Sequence, residues 1–150
     1  MKQLSEQLLS VIEAAEPKLR EISALESAEP ILPGGWSRRQ VLGHLIDSAS
    51  NNHQRFVRAA LQSPLDFPGY DQEGNVRVQA PQEADWLLLV SLWAAYNCYL
   101  AHIIARLPAA NLETPCRIGG REPVTLGFIV SDYLTHMVHH LSQIGAVDSA

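Results

Sequence analysis

Apolar residues recur every three or four positions in four stretches of the chain, and this period predicts four amphipathic helices. The predicted helices are residues 4–25, 38–61, 81–107 and 125–145. Pro17 interrupts the first stretch, so we expect a kink or a restart of the helix there. Helices joined in this way predict an all-α fold in which the four helices pack as a bundle.

The second and fourth predicted helices carry N-terminal capping signals. Ser37 followed by Gln40 is a capping box, in which each side chain binds the backbone N–H of the other residue. Trp36 and Val41 are spaced as a hydrophobic staple around this box. Thr125 is the equivalent cap of the fourth helix, so the starts of both helices are predicted from local chemistry.

The segment between the second and third helices, residues 63–80, contains two prolines and two glycines, which predicts a long loop. An extended loop of this length spans about 60 Å, whereas the second helix is about 36 Å long. The loop can therefore cross over the bundle and let the third helix run parallel to the second. A later irregular segment contains residues 117–121, which could form a small hairpin.

Length and composition suit a single domain that covers residues 1–150. The net charge is -5 and the basic residues are scattered, which disfavours nucleic acid as a partner. The longest apolar run, Trp86 to Val90, is too short to span a bilayer, and no signal peptide is recognisable. We therefore expect a cytoplasmic protein without a membrane partner.

Cys98 is predicted to be buried in a helix, and Cys116 to be a free thiol near a turn.

Histidines are concentrated in the fourth predicted helix, where three of the chain's six lie within residues 136–140. His136 and His140 are one helical turn apart, so they share a face and can bind one ion. His139 is rotated by about 100° and is predicted to face a neighbouring helix or a dimer interface. The pair alone is weak evidence, because helical histidine pairs often face water. Met137 stands where a zinc protease has its general base Glu, which argues against that class.

A stripe of polar residues follows one face of the second predicted helix, beside the apolar face. Its members are His44, Asp47, Ser48, Asn51, Asn52 and Arg55. Such a stripe is often only a solvated surface, but this one is rich in short hydrogen-bonding residues, as a pocket wall is. His44 lies about 10 Å from the start of its helix, and His140 about 8 Å from the end of its own. Antiparallel packing would bring them to one depth, and three histidines with an open position are typical of a catalytic metal site.

Two motifs resemble those of the DinB/YfiT-like family, which is regarded as a family of metalloenzymes. They are Trp36-Ser37 followed by Gly43-His44-Leu45-Ile46-Asp47-Ser48 with Asn51 and Arg55, and His136-Met137-Val138-His139-His140-Leu141-Ser142-Gln143-Ile144. The resemblance covers nearly the whole chain. It implies an up-down-down-up four-helix bundle that is often dimeric, so a homodimer is expected. It also implies a divalent metal ion bound by His44, His136 and His140.

The preferred functional hypothesis is a metal-dependent hydrolase or thiol transferase that activates water or a thiol for attack on a small molecule. The thiol, of low molecular weight, is implied by the resemblance alone. Zinc or nickel is the preferred ion, with iron and manganese as alternatives. Asp47, Asn51 and Arg55 are the candidate catalytic or substrate-binding residues, although each is also explained as a surface or loop-binding side chain. The alternative is a bundle without turnover, in which any metal is structural.

Overall fold

Four long helices account for most of the computed structural model, which describes residues 1–148. They are α1 (Lys2–Glu21), α3 (Arg38–Leu61), α5 (Trp86–Ile104) and α6 (Leu126–Gln143). Two short helices, α2 (Ala24–Ala28) and α4 (Gln72–Gln79), lie in the connections. Helix α1 packs on α5 and α6, and α3 also packs on both, so the predicted four-helix bundle is confirmed.

The first helix differs from its prediction at its end. It stops at Glu21 rather than at residue 25, and it continues through Pro17, so the helix does not restart there. The chain then turns into α2, which the Ser23 side chain caps by accepting a hydrogen bond from the Glu26 backbone N–H at 3.1 Å. The cap at Ser23 therefore divides a stretch that its apolar period predicts as one helix.

Helix α5 begins five residues later than predicted. Asp85 accepts a hydrogen bond from the Leu88 backbone N–H at 2.8 Å and caps the helix, whereas Pro81 belongs to a separate 3₁₀ turn. The helix also ends at Ile104, before the predicted residue 107. Cys98, predicted to be buried, is exposed on α5, so that prediction is wrong.

The predicted caps of α3 and α6 are confirmed. Ser37 Oγ accepts a hydrogen bond from the Gln40 backbone N–H at 3.3 Å, and Gln40 Oε1 accepts one from the Ser37 N–H at 2.9 Å. Thr125 Oγ1 accepts a hydrogen bond from the Phe128 backbone N–H at 3.1 Å. These bonds satisfy backbone donors that the first turn of a helix leaves without partners.

A small three-stranded sheet corrects the expectation of an all-α fold. Its strands are β1 (Leu65–Phe67), β2 (Pro115–Ile118) and β3 (Val124–Thr125), in the spatial order β1-β2-β3. Strand β1 pairs in parallel with β2, and β2 pairs antiparallel with β3. The predicted hairpin is confirmed as the β2–β3 connection, in which Gly119 and Gly120 have φ values of 61° and 72°. Glycine adopts these values without the strain that other residues would have.

The connection at residues 63–80, predicted as a loop, also has structure of its own. It contains β1 and α4, and Asp71 caps α4 by accepting a hydrogen bond from the Gly74 N–H at 3.0 Å. Helix α4 packs against α3. The connection therefore covers part of α3 instead of passing freely along the bundle.

Contacts at the helix ends show that α1 and α5 run in opposite directions. Near the start of α1, Ser5 Oγ donates to the backbone carbonyl of Ala101, late in α5, at 2.8 Å. Near the end of α1, the carbonyl of Leu19 accepts a hydrogen bond from the Trp86 indole at the start of α5, at 2.9 Å. Both bonds are buried, so they fix how the two helices align.

Similar contacts show that α3 and α5 run in the same direction. Arg39, in the first turn of α3, donates to the carbonyl of Ala84 just before α5, at 2.9 Å. His53, in the second half of α3, contacts the hydroxyl of Tyr96 midway along α5, at 3.1 Å.

The core is apolar except for a few hydrogen-bonded side chains. Asn97 donates to the Trp93 carbonyl at 2.8 Å and accepts a hydrogen bond from the Tyr133 hydroxyl, which links α5 to α6. Burial raises the pKa of Tyr133, so its hydroxyl stays protonated and continues to donate. The largest fully buried side chains are Trp86, Trp93, Phe56, Leu8, Leu19, Leu42, Leu45, Leu65, Leu100, Ile104, Leu126 and Met137.

Helix α5 is long and apolar enough to cross a membrane, judged by length and composition alone. It packs on α1 and α3, and 44% of its 18-residue apolar segment is buried within the protein. The core helix of a globular bundle meets the same criterion, so this feature is weak evidence for a membrane.

We predict that Gly43→Ala destabilises the protein, even though alanine favours helices. A Cβ at position 43 would lie 2.6 Å from Cβ and 2.7 Å from Cγ of Pro81, in a rigid ring that cannot turn aside. We expect the free energy of unfolding to fall by about 1–3 kcal/mol, measured by urea denaturation.

Gly127→Ala, in α6, is the matched control for this substitution. A Cβ there would meet the Leu112 carbonyl oxygen at 3.5 Å, which is ordinary contact. The gain in helix propensity should leave the control neutral or stabilise it by up to about 1 kcal/mol. Equal losses in both variants would contradict the close packing of Gly43 on Pro81.

Candidate metal centre

His44 is the buried end of the polar stripe on α3. It follows Gly43, which packs on Pro81, and its ring centroid lies 5.5 Å from that of Trp36. The side chain has 0% exposure, so it has lost all contact with bulk water. A buried polar ring is costly unless it finds a partner inside the protein.

Two imidazoles of α6 face His44. Its ring centroid lies 5.1 Å from that of His136 and 4.9 Å from that of His140, and the last two are 4.5 Å apart. One ring nitrogen from each histidine lies within 4.8 Å of the other two. The structure thus brings together the three histidines that the sequence selects as metal ligands.

Burial keeps His44 and His136 neutral. The pKa of His44 falls from 6.5 to about 4, first because burial disfavours the charged ring and then because of the neighbouring His140 and His136. The pKa of His136 also falls to about 4, again mainly through burial. Burial lowers the pKa of His140 as well, although its hydrogen bond with Gln143 opposes the shift. A neutral imidazole has the free lone pair that a metal ion requires.

This set of donors fits a divalent ion. Two nitrogens bound at about 2.1 Å to a tetrahedral zinc ion are about 3.4 Å apart. The Nε2 atoms of His44 and His136 are 3.1 Å apart, close to that separation. A neutral imidazole can donate only one hydrogen bond, to one neighbour, whereas a cation can accept lone pairs from all three rings at once.

Gln143 orients the ring of His140. Its Oε1 lies 2.8 Å from Nδ1 of His140, and its Nε2 lies 3.0 Å from Nε2 of His139, which is exposed at the surface. An amide oxygen only accepts hydrogen bonds, so the proton of His140 is on Nδ1 and Nε2 keeps the lone pair. The Nδ1 atoms of His44 and His136 are buried without a partner among residues 1–148. Gln143 therefore fixes the orientation of one of the three clustered rings.

Two of the candidate catalytic residues have structural contacts: Asp47 binds α4, and Asn51 binds Asp47 within α3. Asp47 Oδ2 accepts a hydrogen bond from Asn75 Nδ2 at 2.9 Å, and Asn51 Nδ2 donates to the Asp47 carbonyl at 3.0 Å. Neither side chain lines the cavity described next. The bond between Asp47 and Asn75 joins the long connection to α3.

A cavity of about 430 Å³ reaches the histidine cluster at His136, which forms part of its wall. Arg55, the third candidate, also lines it, together with Ser48 and Asn52 of the polar stripe. The two connections and α6 contribute further polar side chains, among them Tyr70, Arg121, Glu122, Asp132 and Tyr133. The arrangement therefore offers a small molecule direct access to a ring of the histidine cluster.

Two polar cavity residues, Asp132 and Arg121, are not predicted from the sequence. Asp132 precedes His136 by four residues, so the helical period alone places both on one face of α6. Arg121 has no such signal, because its position depends on the pairing of β2 with β1.

We predict that Gln143→Ala weakens metal binding without unfolding the protein. Loss of Oε1 frees the His140 ring to rotate and to change tautomer, so we expect the affinity to fall about 10–100-fold. Competition with a chromophoric metal indicator measures this change. Gln143→Glu retains an acceptor oxygen and should preserve binding, whereas unchanged affinity in the alanine variant would exclude a positioning role.

We predict that the metal-free protein loses stability as the pH falls from about 6.5 to about 4. Over this window the unfolded chain binds protons at His44 and His136 that the folded protein does not, so the free energy of unfolding decreases. Each histidine contributes at most about 1.4 kcal/mol per pH unit, and His136, which is partly exposed, contributes less. Urea denaturation in a chelator, repeated across the window, measures this slope.

His44→Gln provides the comparison for that measurement. Without the imidazole, the folded and unfolded chains no longer differ in the protons bound at this position. The free energy of unfolding should therefore depend less steeply on pH. A slope that is the same in both proteins would show that His44 titrates alike in the folded and unfolded states.

The sequence is similar to that of known proteins over nearly its whole length. A sequence model of the DinB superfamily matches residues 2–144. A Bacillus pumilus protein described as a putative metal-dependent hydrolase is 25% identical over 142 residues, which cover 93% of this chain and 79% of its own. YfiT of Bacillus subtilis, described in the same words, is 24% identical over 151 residues, which cover 95% of this chain and 83% of its own.

The solved structure of Bacillus subtilis YfiT matches the fold with a TM-score of 0.80. The match covers 97% of this chain and 86% of the YfiT chain, at 22% identity. YfiT is described there as a probable metal-dependent hydrolase with an unusual four-helix bundle topology. Because the superfamily model spans nearly all of the sequence, this chain belongs to the DinB superfamily.

Proposed function

We propose that this protein is a metal-dependent enzyme that activates water or a thiol for attack on a small molecule. The observation that carries this function is the convergence of three imidazole nitrogens within 4.8 Å of one another, with His136 in the wall of a cavity of about 430 Å³. The descriptions of its relatives as metal-dependent hydrolases support the hydrolytic form of the reaction.

The ligands in this proposal are His44, His136 and His140. A divalent ion bound by three neutral imidazoles supplies a Lewis acid that lowers the pKa of a water or a thiol towards neutrality. The protein contributes ligands that are already deprotonated, since the pKa values of His44 and His136 are about 4. Gln143 holds the third ring in the tautomer that binds.

Nitrogen ligands suit several ions, and we propose zinc or nickel, with iron and manganese as alternatives. The up-down-down-up order of the long helices belongs to the same proposal. Contacts at the ends of α1, α3 and α5 support it, as does the ring contact between Phe56, late in α3, and Tyr133, in the first half of α6. That order brings the start of α3 level with the end of α6, where the histidines lie.

The partners and location that we propose are a small-molecule substrate, a second copy of the chain, and the cytoplasm. The net charge of -5 argues against nucleic acid. The outer face of α5 exposes several large apolar side chains, which suits a homodimer interface. They are Leu87, Leu88, Leu92 and Tyr99.

We predict that the protein purified without a histidine tag binds one divalent ion per chain, and that His44→Ala or His140→Ala weakens binding more than about hundredfold. Elemental analysis and metal titration measure both quantities. His102→Ala is the matched control, because His102 is exposed on α5 and does not contact the cluster. Retained binding in the His44 and His140 variants would overturn the assignment of the ligands.

Removal of the metal by a chelator distinguishes an enzyme from a protein in which the metal is only structural. Helices α3 and α6 already pack in the bundle, so the enzyme should keep its helical circular dichroism after chelation while turnover of small esters or thiol acceptors disappears. Loss of the fold together with the metal would favour the structural alternative. Dependence of turnover on added thiol then distinguishes a transferase from a hydrolase.

A further inference from the structure

The cavity contains a positive charge that has no anionic partner. Arg55 lies eleven residues after His44 on α3, so its Cα is about 16 Å further along the helix axis. Its Nη1 contacts Asn52 Oδ1 at 3.4 Å, while its Nε is buried without a partner among residues 1–148. No carboxylate of the described residues forms an ion pair with it. A buried donor of this kind normally has an acceptor, which a ligand could supply.

The neighbours of Arg55 hold its guanidinium in place. Its Cζ lies 5.5 Å from the ring centroid of Phe67 and 6.0 Å from that of Tyr70. Asn52 donates to the Ser48 carbonyl at 2.9 Å, which leaves its Oδ1 turned towards the guanidinium. Burial lowers the pKa of Arg55, but an arginine side chain stays charged at neutral pH. Arg55 is therefore a fixed positive charge in the cavity wall.

We propose that Arg55 binds the carboxylate of a small acidic substrate whose reactive group lies at the three histidines. This assignment rests on the proposed function and names the class of substrate. A planar guanidinium donates two parallel hydrogen bonds to a carboxylate, which a point charge cannot reproduce. The volume of about 430 Å³ admits a small molecule whose charged group is several bonds away from the group that reacts.

The other charged residues of the cavity favour the same orientation. Asp132 lies one turn before His136 and lines the same cavity, so a negative charge stands close to the histidine cluster. Arg121 and Glu122 are adjacent in the chain and carry opposite charges. A carboxylate is therefore repelled beside Asp132 and attracted beside Arg55.

A structural role for Arg55 is the competing explanation, because its guanidinium stacks on Phe67. Arg58 offers a matched control: its Cζ lies 5.8 Å from the centroid of the same ring. Arg58 is exposed, its Nε donates to Gln54 at 3.2 Å, and it does not line the cavity. If variants of Arg55 and Arg58 both lose binding of a carboxylate ligand, the cause is structural. If only the Arg55 variants lose it, Arg55 binds the anion.

The test uses cobalt-loaded protein and a series of mercapto acids from mercaptopropionate to mercaptohexanoate, each paired with its uncharged amide. Binding of the thiol is followed by the thiolate-to-cobalt charge-transfer absorption. Wild-type protein should bind at least one acid about tenfold or more tightly than its amide. The chain length with the largest preference reports the distance from the metal to the guanidinium.

Arg55→Met should remove the preference for acid over amide, leaving cobalt binding and amide affinity unchanged. Arg55→Lys should retain part of the preference, since it keeps the charge without the planar donor pair. Arg58→Met should retain all of it. Arg55→Gln provides a second variant if the methionine variant does not fold, as judged by circular dichroism.

Two kinds of failure can be told apart. If the protein binds cobalt and thiols but never prefers an acid, or if Arg58→Met loses the preference as Arg55→Met does, the assignment of Arg55 is wrong and the metal site stands. If cobalt does not bind, the proposed function fails, and the assignment of Arg55 fails with it. If cobalt binds but no mercapto acid reaches it, only the assignment of Arg55 fails.

Discussion

The convergence of three imidazoles, one buried and two partly buried, is the constraint on which the rest of this structure depends. One ring comes from α3 and two come from α6, so both helices must keep a fixed rotation at this depth. A shift of one residue in either helix would turn its ring by about 100°. The caps at Ser37 and Thr125 therefore matter for more than helix stability, since they fix the residue at which each helix begins. The missing side chain at Gly43 lets Pro81 pack beside the same turn.

The polar stripe of α3 serves three purposes along a single helix face. His44 contributes to the imidazole cluster, while Asp47 accepts the hydrogen bond from Asn75 that joins α3 to the long connection. Asn52 and Arg55 turn into the cavity. One helix thus aligns the candidate metal site, the connection that covers it and the cavity wall, so their relative positions depend on the geometry of that helix.

Features with a sequence period or a local signal could be predicted, whereas those that depend on distant pairing could not. The capping residues and the helical spacing of His136 and His140 are local, and they locate the bundle and the cluster. Strand β1 has only three residues, too few to show an alternation, and its first residue, Leu65, pairs with Cys116 far along the chain. The period places Asp47 on the polar stripe, but it cannot tell whether the carboxylate meets an imidazole or Asn75.

The small sheet uses backbone hydrogen bonds to hold together the two connections that line the cavity. Strand β1 pairs with β2 through backbone hydrogen bonds, and the Gly119 N–H donates to the Phe67 carbonyl at 2.9 Å. Gly69 and Gly119 approach so closely that a Cβ on Gly69 would lie 3.4 Å from the Gly119 Cα. Backbone hydrogen bonds of this kind depend little on which side chains the paired residues carry. Substitutions in these connections can therefore reshape the cavity wall while the backbone pairing keeps the connections together.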